Sequence, residues 1–408
     1  MKKPELLSPA GDFEKLQMAI AYGADAVYVG GQQFSLRANA KNFSLGELKQ
    51  AIEYAHDKNV KVYVSVNIFA NNKDFDGLTE YLYALKAMGA DAIIVADLGV
   101  LDIARQIEGL DIHISTQANV TNYQSALLYK NLGARRVILA RELYVGDISE
   151  INHRLNDTPG VFETEVFIHG AMCVSYSGRC LLSNYMAGRD ANKGDCAQTC
   201  RWNYHLMEEK RPGEYLPVYE DERGTYIFNS KDLCMIHHIP ELIAAGISSF
   251  KIEGRMKTAY YVAAVTRVYR QALDDFFTSE SLYASKRDYY MHELKKTSHR
   301  DFFTGFYLGK PAGAQNLINA IHNNAQDFLG VVVAYDAEKQ LAYIQQRNKF
   351  SVGDEVEFLK GGFRQNITEM YNKDGIAINS APHPKEMLHI RTLQAVEKFD
   401  ILRKYMSS

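Results

Sequence analysis

Through the first two thirds of the chain, short apolar runs alternate with longer stretches in which apolar residues recur at helical spacing. One phrase returns four times: AYGADAVYVGG at 21–31, AMGADAIIVAD at 87–97, NLGARRVILAR at 131–141 and AAGISSFKIEG at 244–254. In each, a helix-like segment closes on Gly, a small or polar linker follows, and an apolar run begins. Gly suits the left-handed residue that ends a helix, and continuous apolar runs suit parallel strands covered on both faces. Further runs at 4–7 (PELL), 60–66 (VKVYVSV), 111–116 (DIHIST) and 163–169 (ETEVFIH) bring the strands to eight by residue 253. Between most of them lie amphipathic segments such as FEKLQMAIAY at 13–22 and LGELKQAIEYAHDK at 45–58. Eight alternating βα units predict an α/β protein, a (β/α)8 barrel of the TIM type. The competing arrangement, a doubly wound open sheet, would usually carry a glycine-rich phosphate loop, and no GxGxxG follows the first strand.

The period changes after the eighth strand. A helix, TAYYVAAVTRVYRQALDDFF, is followed by a polar, aromatic helical stretch to about residue 300. Then FLGVVVAYD, QLAYIQQR, DEVEFLK, IAINSA and MLHIRT alternate at strand spacing, separated by turn signals such as SVGD and NKDG. This pattern predicts a barrel domain over 1–320 and a small C-terminal β-barrel or sandwich over 325–408, with its strands at about 325–396.

Composition sets bounds only. With 47% hydrophobic and 23% charged residues over 408 positions, the chain is ordinarily globular. A net charge of -3 gives no overall basic field for nucleic acid, although a local patch would suffice. The start, MKKPELLSPAGDF, is basic but lacks the apolar core of a signal peptide. The most apolar stretch, ADAIIVADLGVLDIA, is interrupted by Asp97 and Asp102 and is too short to span a bilayer. These features predict a cytoplasmic protein without membrane contact, in a compartment where disulfides are rare.

Four of the five cysteines, Cys173, Cys180, Cys196 and Cys200, crowd into the insertion at about 170–245, between strands seven and eight. The insertion leaves from the C-terminal end of a strand, the face on which barrel active sites lie. The spacing C-x6-C-x15-C-x3-C points to a shared partner: a metal, an iron–sulfur cluster or one another. Softness allows thiolates to take either zinc or a cluster. Zinc ribbons usually pair two tight knuckles, and only one tight pair is present. A radical CxxxCxxC signature would need a third Cys where Asn203 stands. Cys234, alone in KDLCMIHHIPELI, reads as a core residue. Around the cysteines, Tyr176, Tyr185, Arg179, Arg189, Lys193, Arg201 and Trp202 mix rings and cations. That mixture suits an unpaired base stacked on a ring with its backbone held by cations; it equally suits folding of the insertion. GFYLGK at 305–310 is one residue too short for a phosphate loop and lacks Ser or Thr after Lys310.

The segments ELLSPAGDFEKLQMAIAYGADAVYVG, FIHGAMCVSYSGRCLLSNYMAGRDANKGDCAQTCR and FKIEGRMKTAYYVAAVTRVYR resemble the peptidase U32 family. The resemblance covers the barrel and the C-terminal β domain, and its specificity lies in the cysteine and KIEGR segments. Within the family the chain is most similar to the bacterial tRNA uridine 5-hydroxylation proteins. The resemblance implies a tRNA-modifying enzyme that hydroxylates a wobble uridine without molecular oxygen. It implies a [4Fe-4S] cluster, with zinc as the alternative, and prephenate as co-substrate. Carried over by position, Cys173, Cys180, Cys196 and Cys200 match the cluster cysteines. tRNA is the implied partner, with a paralogous U32 protein and an electron-transfer protein as further candidates. Relatives act on a ribosomal RNA cytidine or in anaerobic ubiquinone synthesis, so another RNA or a small aromatic substrate stays open. Two other classes compete. One is a U32-type peptidase, as the family name suggests, although no HExxH or GxSxG is present and the nearest Cys/His grouping is Cys234 with His237 and His238. The other is a zinc- or cluster-stapled RNA-binding or assembly factor.

In a barrel, residues just beyond the strand C-termini line one mouth. These are Ser8, Gly11, Gly30, Gly31, Arg37, Asn67, Asp97, Gln117, Asn119, Asn122, Arg141, Glu142, His169, Glu253 and Arg255. His169, Glu253 and Asn67 are the candidate catalytic groups, His169 as acid/base or as a hydrogen-bond partner of the cluster. Arg37, Gln117, Asn119, Arg141, Lys251 and Arg255 are the candidate substrate-binding groups. The three arginines suit a carboxylated donor or an RNA phosphate, because guanidinium holds both bidentately. Rim ion pairs, Arg255 with Glu253 or Arg141 with Glu142 or Asp97, are the structural alternative.

Overall fold

In the computed structural model the eight parallel strands close into a barrel. They are β1 (Glu5–Pro9), β2 (Ala26–Gly30), β3 (Lys61–Val66), β4 (Ala92–Val95), β5 (Asp111–Ile114), β6 (Arg136–Ile138), β7 (Glu163–Ala171) and β8 (Ser249–Ile252). Each pairs with the next, and β8 pairs in parallel with both β7 and β1, which closes the ring. The structure describes residues 2–35, 42–173, 175–189, 191, 196–197, 199, 231–309 and 327–404, with the backbone of four short strand pieces between 206 and 226.

Helices α1 (Phe13–Ala21), α2 (Leu45–His56), α3 (Leu78–Ala87), α4 (Leu98–Ala104), α5 (Tyr123–Asn131) and α6 (Val145–Asn156) follow β1 to β6 in turn. The recurring phrase accounts for where helices stop. Its glycines, Gly23, Gly89, Gly133 and Gly246, all have positive φ, between 77° and 96°, a conformation in which a side chain would be strained. Helix starts are set by side chains that accept backbone N–H groups: Asp12 for α1, Asp97 for α4 and Asn122 for α5, with a reciprocal Ser44–Glu47 pair for α2. Val27, Val29, Val62 and Val64 are fully buried between the sheet and this helical layer.

β7 is nine residues long and outruns the barrel. Its end pairs antiparallel with a short strand, Asp232–Cys234, which pairs in turn with Phe302–Phe303. The insertion therefore leaves and returns side by side at the end of β7. It contains α7 (Leu182–Ala187), and α8 (Ile239–Ala244) leads from it into β8. After β8, the long α9 (Ala259–Thr278) packs on α1 and β1, and α10 (Glu280–Ser285) and α11 (Arg287–Lys295) pack on α9.

The C-terminal domain is a seven-stranded antiparallel sheet curled into a half-barrel. Its strands are β9 (Phe328–Asp336), β10 (Leu341–Gln346), β11 (Glu355–Phe358), β12 (Phe363–Asn366), β13 (Met370–Asn372), β14 (Met387–Arg391) and β15 (Ile401–Lys404). They lie in the order β12-β11-β15-β9-β10-β14-β13 around a core that includes Leu329, Ile344, Phe358 and Ile390. The expected boundary at 320–325 falls outside the described residues.

A shared apolar seam of Met18, Tyr22, Tyr260, Val331, Leu359 and Ile401 joins this domain to α1 and α9. Buried Arg403 crosses the seam to Glu293 (2.8 Å) while also bonding Glu357 of its own sheet (2.9 Å), and Arg347 pairs with Glu14 across it. No helix among the described residues is long and apolar enough to cross a membrane.

Candidate functional site

Side chains alternate along a strand, so one face of each barrel strand points inward. Low in the barrel that face is charged. Arg136 on β6 bridges Glu5 (2.6 Å), Glu163 (2.6 Å) and Glu165 (3.0 Å). Lys251 on β8 pairs with Glu165 at 2.9 Å, and Tyr63 and Ser249 donate to Glu5. Burial alone would raise the Glu5 pKa, but the charge and hydrogen bonds of Arg136 hold it below the ordinary value. His113 lies edge-on to Tyr63; burial first, then Arg136 and Lys251, push its pKa well below the ordinary value. Lys251, expected to bind substrate, belongs to this floor. Its ammonium sits 4.4 Å from the Tyr28 ring centre and 5.4 Å from that of Phe167, paired to Glu165.

Above the floor, amides join the charged groups of the lining. Asn67, just past β3, donates to Gln117 Oε1 at 2.6 Å, and that oxygen also accepts from Ser115 at 3.2 Å. Asn119 Nδ2 donates to the Gln117 carbonyl at 2.8 Å. Arg141, past β6, donates to the Ala171 carbonyl and to Ser177 Oγ, both at 2.9 Å. Its guanidinium lies over Phe167, and its buried Nε has no partner. Arg255, past β8, donates to Ser35 Oγ at 3.1 Å. It crosses β2 at Gly30, where a Cβ would stand 1.9 Å from Nη1, so only glycine lets the guanidinium pass. Tyr28 donates to the Ile252 carbonyl at 3.0 Å and reaches Glu253 at 3.4 Å. Half-buried Glu142 has its carboxyl pKa raised by burial, with Arg141 opposing. The mouth thus gathers Asn67, Gln117, Asn119, Arg141, Glu253 and Arg255. Arg37 lies outside the described residues.

The cysteine insertion folds onto this lining. Ser177 holds Arg141, and a Cβ on Gly178 would stand 2.8 Å from Phe69 and 3.0 Å from the Gln117 amide nitrogen. Arg179 lies over the Phe69 ring at 5.1 Å. Between the insertion and the β5 end is a cleft of about 450 Å³ lined by Asn119, Thr121, Ser175, Tyr176 and Arg179. Cys173 and Cys196 are exposed and Cys180 is half-buried. Tyr185 is exposed, and Ser183 accepts from the backbone of Ala197, tying α7 to the Cys196 segment. Cys200, Lys193, Arg201 and Trp202 lie outside the described residues. Among the described residues, no three His, Cys, Asp or Glu side chains are gathered as a metal ion would need. The donor chemistry nonetheless suits a thiolate-bound cluster, since three described thiols belong to one insertion rooted at the mouth.

Two further placements correct the sequence reading, and one bears it out. His169 does not face the mouth. The register of β7 on β8 slips after Lys251, where Phe167 is opposite Lys251 but His169 is opposite Ile252. This one-residue bulge turns the imidazole outward, among Tyr261, Tyr269 and Phe302, where it is 1% exposed. Burial pushes its pKa down to about 3, so it is neutral. Asp97 and Asn122 are helix caps, and Ser8 bonds Thr266 of α9 at 2.9 Å. Cys234 is buried, as read from the sequence, its thiol pushed up to about 11 by burial, while His237 meets the Arg287 carbonyl and His238 meets Glu241. That grouping is no nucleophile and base. The sequence reading passed over Tyr28, Ser35 and Ser177. For Tyr28 a signal exists: it lies two residues before Gly30 and so shares its face of β2.

A family model described as Peptidase family U32 matches residues 11–317, and one described as Peptidase family U32 C-terminal domain matches 324–403. A Bacillus subtilis protein named tRNA hydroxylation protein P1 is 39% identical over 408 residues, 99% of this chain and 95% of its own length. A Methanocaldococcus jannaschii protein named an uncharacterized protease is 43% identical over 356 residues, 86% of each chain. An Escherichia coli protein named tRNA hydroxylation protein P is 36% identical over 426 aligned residues, 94% of this chain and 92% of its own. Matched in both its domains and along nearly its whole length, the chain belongs to peptidase family U32.

Proposed function

We propose that this protein is an RNA hydroxylase that acts on tRNA, in the cytoplasm, and converts a wobble uridine to 5-hydroxyuridine. The observation that carries the reading is the cysteine insertion lying on the barrel mouth, with Ser177 on Arg141 and Gly178 on Gln117. Nearly full-length similarity to proteins named for tRNA hydroxylation supports it. Replacing C5–H with C5–OH is a two-electron oxidation, so a second reactant is consumed. A carboxylated donor derived from prephenate is the candidate, with Arg141 and Arg255 as candidate cations to hold it. Asn67, Gln117 and Glu253 provide the polar wall against which base and donor would be oriented. The anticodon loop is single-stranded, so turning one base into the mouth costs no more than roughly a few kcal/mol.

Cys173, Cys180, Cys196 and Cys200 are the candidate ligands of a [4Fe-4S] cluster, with zinc as the alternative. A cluster bound there would supply electron transfer beside the mouth. A paralogous U32 protein and an electron-transfer protein are candidate partners. The test is nucleoside mass spectrometry of tRNA from a strain lacking the protein, paired with the colour of anaerobically purified protein. Loss of 5-hydroxyuridine derivatives and absorption near ~400 nm are expected. Unchanged nucleosides sink the RNA reading, and a colourless, zinc-loaded protein sinks the cluster alone.

A further inference from the structure

We infer that the open half of the C-terminal sheet is a stacking platform for unpaired nucleotides of the RNA whose base enters the barrel. This rests on the RNA reading above and adds a second contact surface, on the other domain. The outer face of the sheet is divided in two. Side chains directly opposite on paired strands share a face. Val331 of β9 and Ile401 of β15 are opposite one another and pack into the seam with the barrel. Gln345 of β10 is also opposite Val331, and Tyr343, two residues before it, shares its face. Tyr343 is opposite His389 of β14, which is opposite Tyr371 of β13. These three rings are half-buried, while Ala342, Ile344, Leu388, Ile390 and Met370 fill the core on the inner face. On the β9 side of Tyr343 stands only an exposed alanine, Ala334.

The row is ordered before any ligand arrives. The Tyr343 and His389 ring centres are 4.2 Å apart. The Tyr371 hydroxyl donates to Glu369 at 2.8 Å, and Arg391 Nε donates to the same carboxylate at 2.9 Å. Arg391 Nη1 donates to the Lys339 carbonyl at 3.1 Å. Such fixing lowers the cost of binding. Burial and Lys339 push the His389 pKa down, so at neutral pH it is an uncharged ring. Arg391 is paired to Glu369 and Lys339 to Asp336, so the patch offers aromatic area with little net charge. That suits bases, which stack on a ring whatever their identity, better than it suits phosphates. Unpaired nucleotides have a base face free for it, and a duplex does not. The platform also leads to the right place. β10 runs on into Arg347, whose partner Glu14 lies in the first turn of α1, just past the mouth end of β1. Tyr343 and Arg347 are four residues apart along an extended chain, roughly 13 Å. Nucleotides flanking a base held in the mouth can therefore reach the rings.

The test uses the full chain and a tRNA transcript with uridine at the wobble position. Fluorescence anisotropy compares the wild type with Tyr343→Ala/Tyr371→Ala and with Tyr343→Phe/Tyr371→Phe. The alanine variant is expected to bind at least about tenfold more weakly, because each base loses its ring. The phenylalanine variant keeps both rings and is expected to stay within about twofold of the wild type. A second measurement needs no variant. A transcript carrying 4-thiouridine, irradiated in the near ultraviolet on the wild type, is expected to crosslink to peptides containing Tyr343, Tyr371 or His389. Equal binding by the alanine variant, or crosslinks confined to the barrel domain, overturns the platform and leaves the RNA reading standing. A change of oligomeric state in the alanine variant, with RNA binding unchanged, makes this face a contact between copies and overturns it as well. A wild type that binds no tRNA overturns both.

Discussion

The floor and the mouth of the barrel are built from the same strands, and both are polar and largely buried. On the floor, Arg136, Glu5, Glu163, Glu165 and Lys251 satisfy one another within 3.0 Å. At the mouth amides (Asn67, Gln117, Asn119) stand among the charged Arg141, Glu253 and Arg255, and Arg141 Nε and Asn119 Oδ1 end without a hydrogen-bond partner, as, among the described residues, only His113 Nδ1 does beside the floor. Charge density is therefore a poor guide to chemistry here. A network that closes on itself holds strands together, whereas unmatched bonding capacity at an opening waits for a ligand. The direction of the difference is that expected of a barrel, in which one end is kept for stability and the other for function.

The sharpest way to break this contrast is to open the floor. Arg136→Met would leave three carboxylates facing one another without their shared cation, a change expected to cost ~3–5 kcal/mol of stability. Denaturant unfolding measures it. A loss below ~1 kcal/mol would mean that the floor tolerates unpaired charge and is no structural clamp. At the mouth the expectation reverses. Arg141→Met gives up bonds to Ser177 and Ala171 but leaves no carboxylate without its cation, so stability should fall by only about 1–3 kcal/mol. On the proposed function, in which Arg141 holds a carboxylated donor, hydroxylation activity should fall ~10–100-fold. A fully active but strongly destabilised Arg141→Met would make the mouth a second floor.

Much of the architecture was legible because it repeats. Gly23, Gly89, Gly133 and Gly246 punctuate helices, and the count of apolar runs forces closure at eight. The mouth followed from strand ends, which is why Asn67, Gln117, Asn119, Arg141 and Arg255 fall together. Other features leave no periodic trace. Asp232–Cys234 and Phe302–Phe303 are too short to show alternation, and they become strands only because β7 runs past the barrel to meet them. In ETEVFIH, Glu163 and Glu165 read as ordinary strand polars, and only the pairing partner Arg136, 27 and 29 residues away, turns them into a floor. Ser35 and Ser177 gain their roles from the arginines that reach them. The bulge at Lys251/Ile252 is the instructive failure, since one added residue reverses every side chain beyond it.

That bulge also gives the smallest predicted effect, at His169. Folding holds this imidazole neutral, its pKa depressed from 6.5 to about 3 by burial, with Asp232 opposing. Between those two values the unfolded chain binds a proton that the folded chain refuses. Stability from this group is therefore whole above about pH 6.5 and drains as pH falls toward 3, at up to ~1.4 kcal/mol per pH unit. His113, also pushed down, adds a slope of the same sign. Carboxylates held low, such as Glu5, join only below their unfolded values, and those raised by burial, Glu142 and Asp400, act with the opposite sign, so the difference between variant and wild type from pH 6 to 5 reports His169. His169→Phe keeps an aromatic ring against Tyr269 and Phe302 while deleting the titration. Unfolding at pH 7 should shift by no more than about 1 kcal/mol. The stability loss between pH 6 and 5 should become shallower without vanishing, because His113 remains, and hydroxylation at pH 7 should be kept. If the variant instead loses activity while its acid limb stays as steep as before, the imidazole acts at the opening, and the outward turn of β7 assigned here is wrong.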